Sequence, residues 1–321
     1  MKKSRLLILC LCVLFLLSGC KSDPEIRTTS YYDLFDTYIS FTTYDLDEAE
    51  FNSVSEELYT LLQDFHHQTD IYHHYDGMTN LYDMNAAAGG NPLAVSETLM
   101  DFLNFCIEAD TVSNHKVNVM LGSVTSLWHE ARETGTLPSQ ESLEVAAEFT
   151  DIHFLKINSQ DNTAVITVPG ASLDVGALAK GYAGRLAVNF LRDSGIDNFV
   201  LNLGGNVCAY GQPVGTGRDR FTIGIQDPRA ADGTYKTTCS VKDACAVTSG
   251  DYQRFIEVDG VRYHHIIDPD TLQPSDYHHS VTVICEDSAI ADLLSTALFL
   301  MPEEEGTALA ESYGAEVIYL D

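Results

Sequence analysis

The sequence predicts an α+β fold, a single integrated domain in one body or two lobes, in which helices flank an antiparallel sheet. First, residues 48–150 space their apolar side chains largely as amphipathic helices do. Second, residues 155–285 consist, apart from one helical stretch, of short β-branched and aromatic segments separated by Gly and Asp turns. Third, no internal repeat or long low-complexity linker divides the 321 residues.

The first half should contain one strand followed by helices. The segment "YYDLFDTYISFTTYD" (31–45) is rich in β-branched and aromatic residues, and it therefore predicts a strand. Apolar spacing predicts helices over 48–68, about 96–111 and about 122–132. A further helix is predicted in "SQESLEVAAEFT", which begins with a cap-like segment after Pro138.

The second half should build the sheet. The segments "NTAVITV" and "ASLDV" predict paired strands, and a helix follows over about 178–194, where Gly195 ends it. "NFVLNLGGNVCAYG" predicts the next strand pair, with Gly204 and Gly205 as a kink or bulge. Antiparallel strands continue through "VRYHHIIDP" and "VTVICED", and the helix "SAIADLLSTALFLM" and the strand "AEVIYLD" close the chain.

The amino terminus predicts export and lipidation. A basic start and the apolar run "LLILCLCVLFLL" end in "LSGC", which resembles a bacterial lipobox. The pattern indicates a signal peptide over 1–19, a lipidated Cys20 with a tether over 20–29, and a functional domain over 30–321. An ordinary secretory signal and an uncleaved anchor are the alternatives. We expect a lipid-anchored protein on the extracytoplasmic side of the cell membrane, periplasmic or at the cell surface.

The charge balance restricts the ligands. Three of the 18 Lys and Arg residues lie in the signal peptide, so 15 remain against 47 Asp and Glu. Such an acidic surface repels nucleic acid and anionic lipid, and we expect neither as a partner. A site for an anionic ligand must therefore supply local cations or a metal ion.

The cysteines indicate neither a zinc site nor a full disulfide framework. Beyond Cys20 they are odd in number and lack C-x-x-C spacing; they are Cys106, Cys208, Cys239, Cys245 and Cys285. The sequence leaves two alternatives for Cys239 and Cys245, which either pair across a turn or remain free thiols.

The stretch "LDVGALAKGYAGRL" (173–186) predicts a turn from a strand into a helix. Gly176 and Gly181 would allow close approach of a ligand to the backbone, and a helix start with Lys180 favours an anion. The stretch matches neither the phosphate-binding P-loop pattern nor the dinucleotide-binding glycine pattern. An ordinary strand-to-helix turn is the alternative.

Asp292 and Thr296 lie four residues apart in "SAIADLLSTALFLM", so they share one helix face. A carboxylate and a hydroxyl suit a hard cation such as Mg²⁺, with waters and phosphate oxygens as further ligands. The alternative is an exposed Asp and a Thr bonded to its own helix. The apolar neighbours of Asp292 favour a partner for its charge.

Polar residues between the late strands complete the candidate set. Thr248, Ser249 and Asp251 lie in one turn, and His264 and His265 are adjacent in a strand, so only one histidine can face a site. A histidine is the natural proton acceptor for a hydroxyl nucleophile. Zinc binding by the four His-His pairs is disfavoured because adjacent side chains point apart and no glutamate motif accompanies them.

Taken in order, these segments resemble the ApbE family of FAD:protein FMN transferases. The resemblance covers nearly the whole chain beyond the signal, through "FDTYISF", "YDGMTNLYDMN", "VNVMLGSVTSLW", "LDVGALAKGYA", "FVLNLGGNVCAYG", "FTIGIQDP", "VTSGDYQRF", "YHHIIDP" and "ADLLSTALF". It implies Mg²⁺-dependent cleavage of the FAD pyrophosphate, transfer of FMN to a Thr or Ser hydroxyl in a motif of an exported acceptor protein, and release of AMP.

The resemblance also implies residue roles. Asp292 and Thr296 match the metal-binding pair, with Ser295 and the backbone of Ala177 beside them, and His265 matches the histidine near the reacting phosphate. His265 and Asp292 are therefore the expected catalytic residues. The expected FAD contacts are Phe35, Tyr75, Val117, Asn118, Asp174, Lys180, Thr248, Ser249, His265 and Ile266. Family members often carry glycine at the position of Asp36 and aspartate at that of Asn118.

Two other functions remain open at this stage. An FAD pyrophosphatase would use the same site but transfer FMN to water. A flavin-binding lipoprotein would hold FAD without chemistry, and the presence of Asp292 and His265 disfavours it.

Overall fold

The computed structural model describes residues 25–231 and 233–321, and it forms helices around a central antiparallel sheet. The α-helices of the described residues are α1 (Glu48–Thr69), α2 (Leu81–Ala86), α3 (Glu97–Val112), α4 (Gly122–Thr134), α5 (Gln140–Ala147), α6 (Ala179–Asp193), α7 (Ser288–Phe299) and α8 (Glu303–Ser312). Two single turns of 3₁₀ helix cover Val119–Leu121 and Ile152–Phe154.

The strands of the described residues form five sheets. In chain order they are β1 (Arg27–Leu34), β2 (Thr37–Thr43), β3 (Leu93–Ala94), β4 (Leu155–Asn158), β5 (Thr163–Ile166), β6 (Phe199–Leu203), β7 (Asn206–Tyr210), β8 (Phe221–Gln226), β9 (Tyr235–Val241), β10 (Ala244–Gly250), β11 (Phe255–Val258), β12 (Val261–His264), β13 (Ile267–Asp268), β14 (Gln273–Pro274), β15 (Ser280–Cys285) and β16 (Glu316–Leu320).

A seven-stranded sheet organises the molecule, in the order β1-β2-β6-β7-β10-β15-β16. Every neighbouring pair in it is antiparallel. Helices α1, α6 and α7 cover one face of this sheet and form the main hydrophobic core with it. The β8–β9 hairpin covers the other face and forms a smaller apolar cluster there. This arrangement confirms the predicted α+β domain with an antiparallel sheet between layers. It also brings α7 and the end of β10 together, where the candidate site lies.

The predicted single strand over 31–45 is wrong, because the segment folds into the β1–β2 hairpin. Phe35 and Asp36 form the turn with φ angles of 54° and 51°. Two consecutive left-handed residues match the right-handed twist of a two-residue hairpin, but neither residue is the glycine that usually signals it. Gly204 and Gly205, predicted as a kink or bulge, form the corresponding turn between β6 and β7 with φ angles of 61° and 100°.

Other differences concern the chain ends and the cysteines. The signal peptide and Cys20 lie outside the described residues, and β1 begins at Arg27, within the segment assigned to the tether. Cys245 pairs with Cys208 across β7 and β10, whereas Cys239 is a buried free thiol. The segment "ASLDV" is irregular rather than a strand. No helix within 25–231 or 233–321 has the length and apolar character needed to cross a membrane.

Candidate active site

The close packing of α6 against α7 positions the central carboxylate. A Cβ at Gly181 would lie 2.2 Å from Asp292 Cβ and 2.7 Å from the Ser288 carbonyl oxygen. One turn later, a Cβ at Gly184 would lie 2.3 Å from Ser288 Oγ. Only glycine therefore permits this helix separation at Gly181, and the residue serves helix packing rather than the ligand approach that the sequence suggested.

Asp292 is a buried carboxylate, 5 % exposed, on the face of α7 toward α6. Its Oδ2 accepts a 2.6 Å hydrogen bond from the Gly181 backbone N–H. Burial raises the pKa of Asp292, while the charge of Lys180, that N–H group and the amide of Asn206 oppose the rise. The Gly181 N–H holds the carboxylate in place, and burial removes water from its charge. A buried charge is costly unless it is paired, so this carboxylate favours a bound cation.

Three hydroxyl groups meet beside Asp292 where α7 packs on β10. Ser249 Oγ lies 2.9 Å from Ser295 Oγ and 3.3 Å from Thr296 Oγ1. Thr296 is four residues after Asp292, so the two share a face of α7, as the sequence predicted. Ser295 also donates to the Asp292 carbonyl oxygen at 3.0 Å.

The start of α6 adds a free carbonyl oxygen. In a regular helix the Gly181 N–H would donate to the Ala177 oxygen, but here it donates to Asp292 instead. No backbone hydrogen bond to the Ala177 oxygen is found in the described part of the chain. The carbonyl predicted as a metal ligand is therefore available for one.

These groups fit a magnesium ion. The donors are one carboxylate, hydroxyls and a carbonyl, all oxygen, and Mg²⁺ is usually bound by one or two carboxylates with waters and substrate phosphates. Within the described ranges no group of three or more His, Cys, Asp or Glu side chains could hold a metal. With Asp292 as the carboxylate of this donor set, an octahedral Mg²⁺ ion would keep several coordination positions for water and substrate phosphates.

The turn before α6 is built around Asp174. Its Oδ1 accepts from Gly176 N at 3.0 Å and its Oδ2 from Thr125 Oγ1 at 2.7 Å, while its backbone N–H donates to Val119 O. Lys180 Nζ lies 3.4 Å from Gly176 O, and no carboxylate pairs with it among the described residues. The charge of Lys180 is therefore available to an anionic ligand, and it also acts on Asp292 and His265.

The two adjacent histidines have different surroundings. The ring of His264 is buried, and its Nε2 donates to Ser275 O at 2.7 Å while Nδ1 accepts from Ile266 N at 3.2 Å. Nδ1 of His265 is shielded from solvent and has no hydrogen-bond partner among the described residues. Burial, with the charges of Arg254 and Lys180, lowers the pKa of His265 to about 3. His264 therefore has a structural role, because both of its ring nitrogens are hydrogen-bonded. His265 is a neutral imidazole whose Nδ1 has no hydrogen-bond partner among the described residues.

Two arginines beside His265 were not singled out from the sequence. Arg132 of α4 and Arg254 before β11 act on His265 and on each other, and burial and Arg254 lower the pKa of Arg132. Their charges also act on the phenol of Tyr72, as does that of Asp174. In a chain with so few cations, the position of Arg254 inside "VTSGDYQRF" was the available signal. Arg132, Lys180 and Arg254 are called the cation cluster below.

Aromatic side chains form a wall beside the β1–β2 turn. The Phe35 ring lies 5.1 Å from the ring of His66, and the Tyr75 ring stacks on His67 at 3.9 Å between centroids. Tyr75 also donates to Asp70 Oδ2 at 2.8 Å, and burial together with Asp70 raises the pKa of Tyr75 to about 12. Phe35 and Tyr75 thus belong to one ring cluster, linked through His66 and His67.

The other predicted FAD contacts are placed as follows. Val117 and Ile266 are buried in the core. Asn118 caps the 3₁₀ turn through Oδ1 and donates from Nδ2 to Thr150 O at 2.7 Å. Thr248 bonds Thr282 at 2.8 Å and, by strand alternation, faces away from α7. Their contact with FAD stays a prediction.

Asp251, in the same turn as Ser249, has a structural role. The carboxylate is 5 % exposed and accepts two hydrogen bonds from Arg229, at 2.9 and 2.6 Å. His279 Nδ1 lies 3.1 Å away. Both Asp251 oxygens are engaged by Arg229, whereas His265 Nδ1 has no hydrogen-bond partner among the described residues, so His265 is the better candidate base.

We expect Gly181→Ala to displace α7 from α6, because its Cβ would overlap with Asp292 and the Ser288 carbonyl. Strain of this kind costs about 1–3 kcal/mol of unfolding free energy, and Mg²⁺ and FAD affinity should fall with it. Gly176→Ala is the control in the turn just before α6, since its Cβ would meet only Asp174 Oδ1 at 3.2 Å. Denaturant unfolding and ligand titration measure both; equal defects in the two variants would contradict the packing role.

The chain matches the model of the ApbE family over residues 35–319. It is 32 % identical over 285 residues to the FAD:protein FMN transferase of Treponema pallidum (strain Nichols), an alignment that covers 85 % of this chain and 78 % of that protein. The FAD:protein FMN transferase of Vibrio cholerae serotype O1 is 28 % identical over 319 residues, 98 % of this chain and 92 % of the relative.

Solved structures agree in fold. The flavin transferase ApbE from Vibrio cholerae superposes with a TM-score of 0.77 at 26 % identity, over 92 % of this chain and 93 % of that one. The ApbE protein from Thermotoga maritima gives a TM-score of 0.79 at 24 % identity, over 92 % and 94 % of the two chains, and supports the fold alone. With the family match across most of its length, the chain belongs to the ApbE family.

Proposed function

We propose that this enzyme transfers FMN from FAD to a Thr or Ser hydroxyl of an acceptor protein, with Mg²⁺ as cofactor and AMP as the leaving product. The relatives' shared name, FAD:protein FMN transferase, supports the flavin reaction. The observation that carries the proposal is the buried carboxylate of Asp292, next to the hydroxyls of Ser295 and Thr296. This arrangement suits a phosphate-bound divalent ion.

Asp292, Thr296, Ser295 and the Ala177 carbonyl would hold the Mg²⁺ ion. The bound ion would stabilise negative charge on the pyrophosphate oxygens. Gly181 fixes the orientation of the Asp292 carboxylate through its N–H group. Ser249 bridges the hydroxyls of Ser295 and Thr296 and thereby fixes α7 on β10 at this point. The chain's contribution is therefore a rigid set of oxygen atoms.

The cation cluster and His265 supply the remaining chemistry. The acceptor hydroxyl oxygen forms a bond to the FMN phosphorus, the bond from that phosphorus to the bridging pyrophosphate oxygen breaks, and AMP departs with the electron pair. The neutral His265 imidazole accepts the hydroxyl proton. Lys180 offsets the phosphate charge. The aromatic wall of Phe35 and Tyr75 offers apolar surface to a flavin or adenine ring.

The proposal is tested by mixing the purified protein with FAD, Mg²⁺ and an acceptor protein. Flavin fluorescence that survives denaturing electrophoresis on the acceptor band, with stoichiometric AMP, is the expected result. The controls are an acceptor with its Thr or Ser replaced by Ala, and chelation of Mg²⁺. Free FMN and AMP without a labelled acceptor would instead identify a hydrolase, and intact FAD would identify a binding protein.

The lipobox-like "LSGC" supports a proposal on location, namely a lipid on Cys20 that holds the enzyme at the extracytoplasmic face of a membrane. Cys20→Ala should prevent lipidation and leave the precursor uncleaved, without altering FMN transfer by the folded domain. Mass spectrometry of the amino-terminal peptide measures this. A mature terminus elsewhere and free of lipid would refute the location.

A further inference from the structure

Asp36 and Arg254 join two walls of the candidate site. Arg254 Nη2 donates to Asp36 Oδ2 at 3.0 Å, across 218 residues of sequence. Asp36 lies in the β1–β2 turn next to Phe35 of the aromatic wall. Arg254 belongs to the cation cluster, and its carbonyl oxygen accepts from His265 N at 3.1 Å. The ion pair therefore spans from the aromatic wall to the candidate base.

The pair is weak and easily exchanged. The side chains of Arg254 and Asp36 are 52 % and 93 % exposed, and exposed ion pairs contribute little net stability because water solvates both partners well. A phosphate oxygen offers arginine the same kind of charge-assisted, often bidentate contact that a carboxylate does. An anionic ligand that enters the cation cluster can thus take Arg254 from Asp36.

Asp36 is held near Arg254 by backbone geometry. Its φ angle of 51° and that of Phe35, 54°, fix a tight turn. The Phe35 ring packs on Phe65 and His66, and the Phe35 N–H donates to His66 Nδ1 at 3.4 Å. The turn is therefore anchored to α1 while the Asp36 carboxylate projects into solvent toward Arg254. The anchored turn therefore places the Asp36 carboxylate beside Arg254.

We propose that Arg254 is a phosphate ligand for FAD and that Asp36 competes with the phosphate for it, so that Asp36 sets the affinity of this enzyme for its anionic substrate. The inference rests on the proposed function in taking FAD as the substrate. In the ligand-free protein Arg254 pairs with Asp36; in the complex it pairs with a pyrophosphate oxygen. Arg132, whose Nη2 lies 2.9 Å from His129 Nδ1, and Lys180, whose Nζ lies 3.4 Å from Gly176 O, complete the anion site.

The test is FAD binding without turnover, measured by flavin fluorescence in the presence of a metal chelator at low ionic strength. Asp36→Asn keeps a residue that tolerates the left-handed turn but removes the competing charge. We expect it to lower the FAD Kd by about two- to fivefold, the scale of an exposed ion pair. Arg254→Gln should raise the FAD Kd by about tenfold or more, the scale of a charge-assisted hydrogen bond.

The chain offers a matched control in Asp259. It too is an exposed aspartate in a hairpin turn, with a φ angle of 52°, and it forms no ion pair within the described residues. Asp259→Asn should leave the FAD Kd unchanged. Riboflavin, which lacks phosphates, should bind wild type and Asp36→Asn alike.

The decisive measurement is the double variant. If Arg254 mediates the effect, Asp36→Asn should not change FAD affinity in the Arg254→Gln background. An equal gain in that background, or in Asp259→Asn, would reduce the effect to general charge and overturn the proposal. The results also separate this proposal from the proposed function. FAD binding with the expected coupling but no FMN transfer would support the competition between Asp36 and phosphate and contradict the transferase. FMN transfer with an unchanged FAD Kd in Asp36→Asn would refute the competition alone.

Discussion

Asp292→Asn should remove Mg²⁺-dependent FMN transfer and at the same time stabilise the metal-free protein. The variant keeps an oxygen that can accept from the Gly181 N–H but loses the charge that favours a cation. Loss of a group that places charge against the reacting phosphate lowers kcat by about 10²–10³-fold or more. FMN transfer at saturating FAD, titrated with Mg²⁺, measures the defect.

The stabilisation follows from the raised pKa of Asp292. Between its unfolded pKa of 3.8 and the higher folded value, the folded state holds a proton that the unfolded chain releases. Stability therefore falls as the pH rises through that window, and at neutral pH the buried carboxylate destabilises the protein. An uncharged asparagine avoids this loss. The expected result is a higher Tm for Asp292→Asn than for wild type in the absence of metal.

Magnesium should reverse that order. A ligand that binds only the folded state at 100 times its Kd adds about 2.7 kcal/mol to the unfolding free energy. Wild type should show this gain in Mg²⁺ and Asp292→Asn should not. Asp287→Asn is the control at the start of the same helix, because Asp287 caps α7 and pairs with Arg185 rather than with the hydroxyls of Ser295 and Thr296. An Mg²⁺-induced Tm increase in Asp292→Asn equal to that of wild type would refute the metal assignment.

The sequence predicted the residues that act through local periodicity. Asp292 and Thr296 share a face because a helix repeats every 3.6 residues, and the apolar spacing around them was unambiguous. The sequence placed His264 and His265 in one strand, but β12 ends at His264 and His265 lies in the bend that follows, so strand alternation does not set the directions of the two rings. Long helices such as α1 and α6 were also predicted to within two residues.

The sequence could not predict features that depend on distant contacts. The Asp36–Arg254 pair joins residues 218 apart, and the β1–β2 turn uses Phe35 and Asp36 where a hairpin signal would contain Gly or Asn-Gly. The role of Gly181 was assigned to a ligand because glycine permits any close approach, and only the position of α7 shows that the neighbour is a helix. Likewise, Cys245 faces Cys208 because of strand order.

His265→Ala should slow FMN transfer by roughly 10²–10⁴-fold, the usual scale for a lost general base, while Mg²⁺ and FAD still bind. The ring nitrogen Nδ1 has no partner within the described residues, so its removal leaves no broken hydrogen bond at that atom. His264→Ala is the control at the adjacent residue, which ends β12. It leaves Ser275 O without its donor and should lower stability by about 1–3 kcal/mol, but the folded fraction should transfer FMN nearly as wild type does.

The pH dependence separates this base from an ordinary histidine. Because burial and nearby cations lower the pKa of His265 to about 3, the residue stays neutral as the pH falls through its ordinary value of 6.5. At saturating Mg²⁺ we therefore expect kcat/KM, which reports the free enzyme, to show no loss with a pKa near 6.5.

The unfolding free energy should also depend on pH. A histidine with a depressed folded pKa stabilises the protein above 6.5, and this contribution is lost progressively between 6.5 and about 3. His265→Ala should thus lose less stability than wild type on acidification across that window. A wild-type kcat/KM that falls tenfold per pH unit below 6.5, with that fall absent in His265→Ala, would mean that His265 titrates normally and that burial does not control its charge.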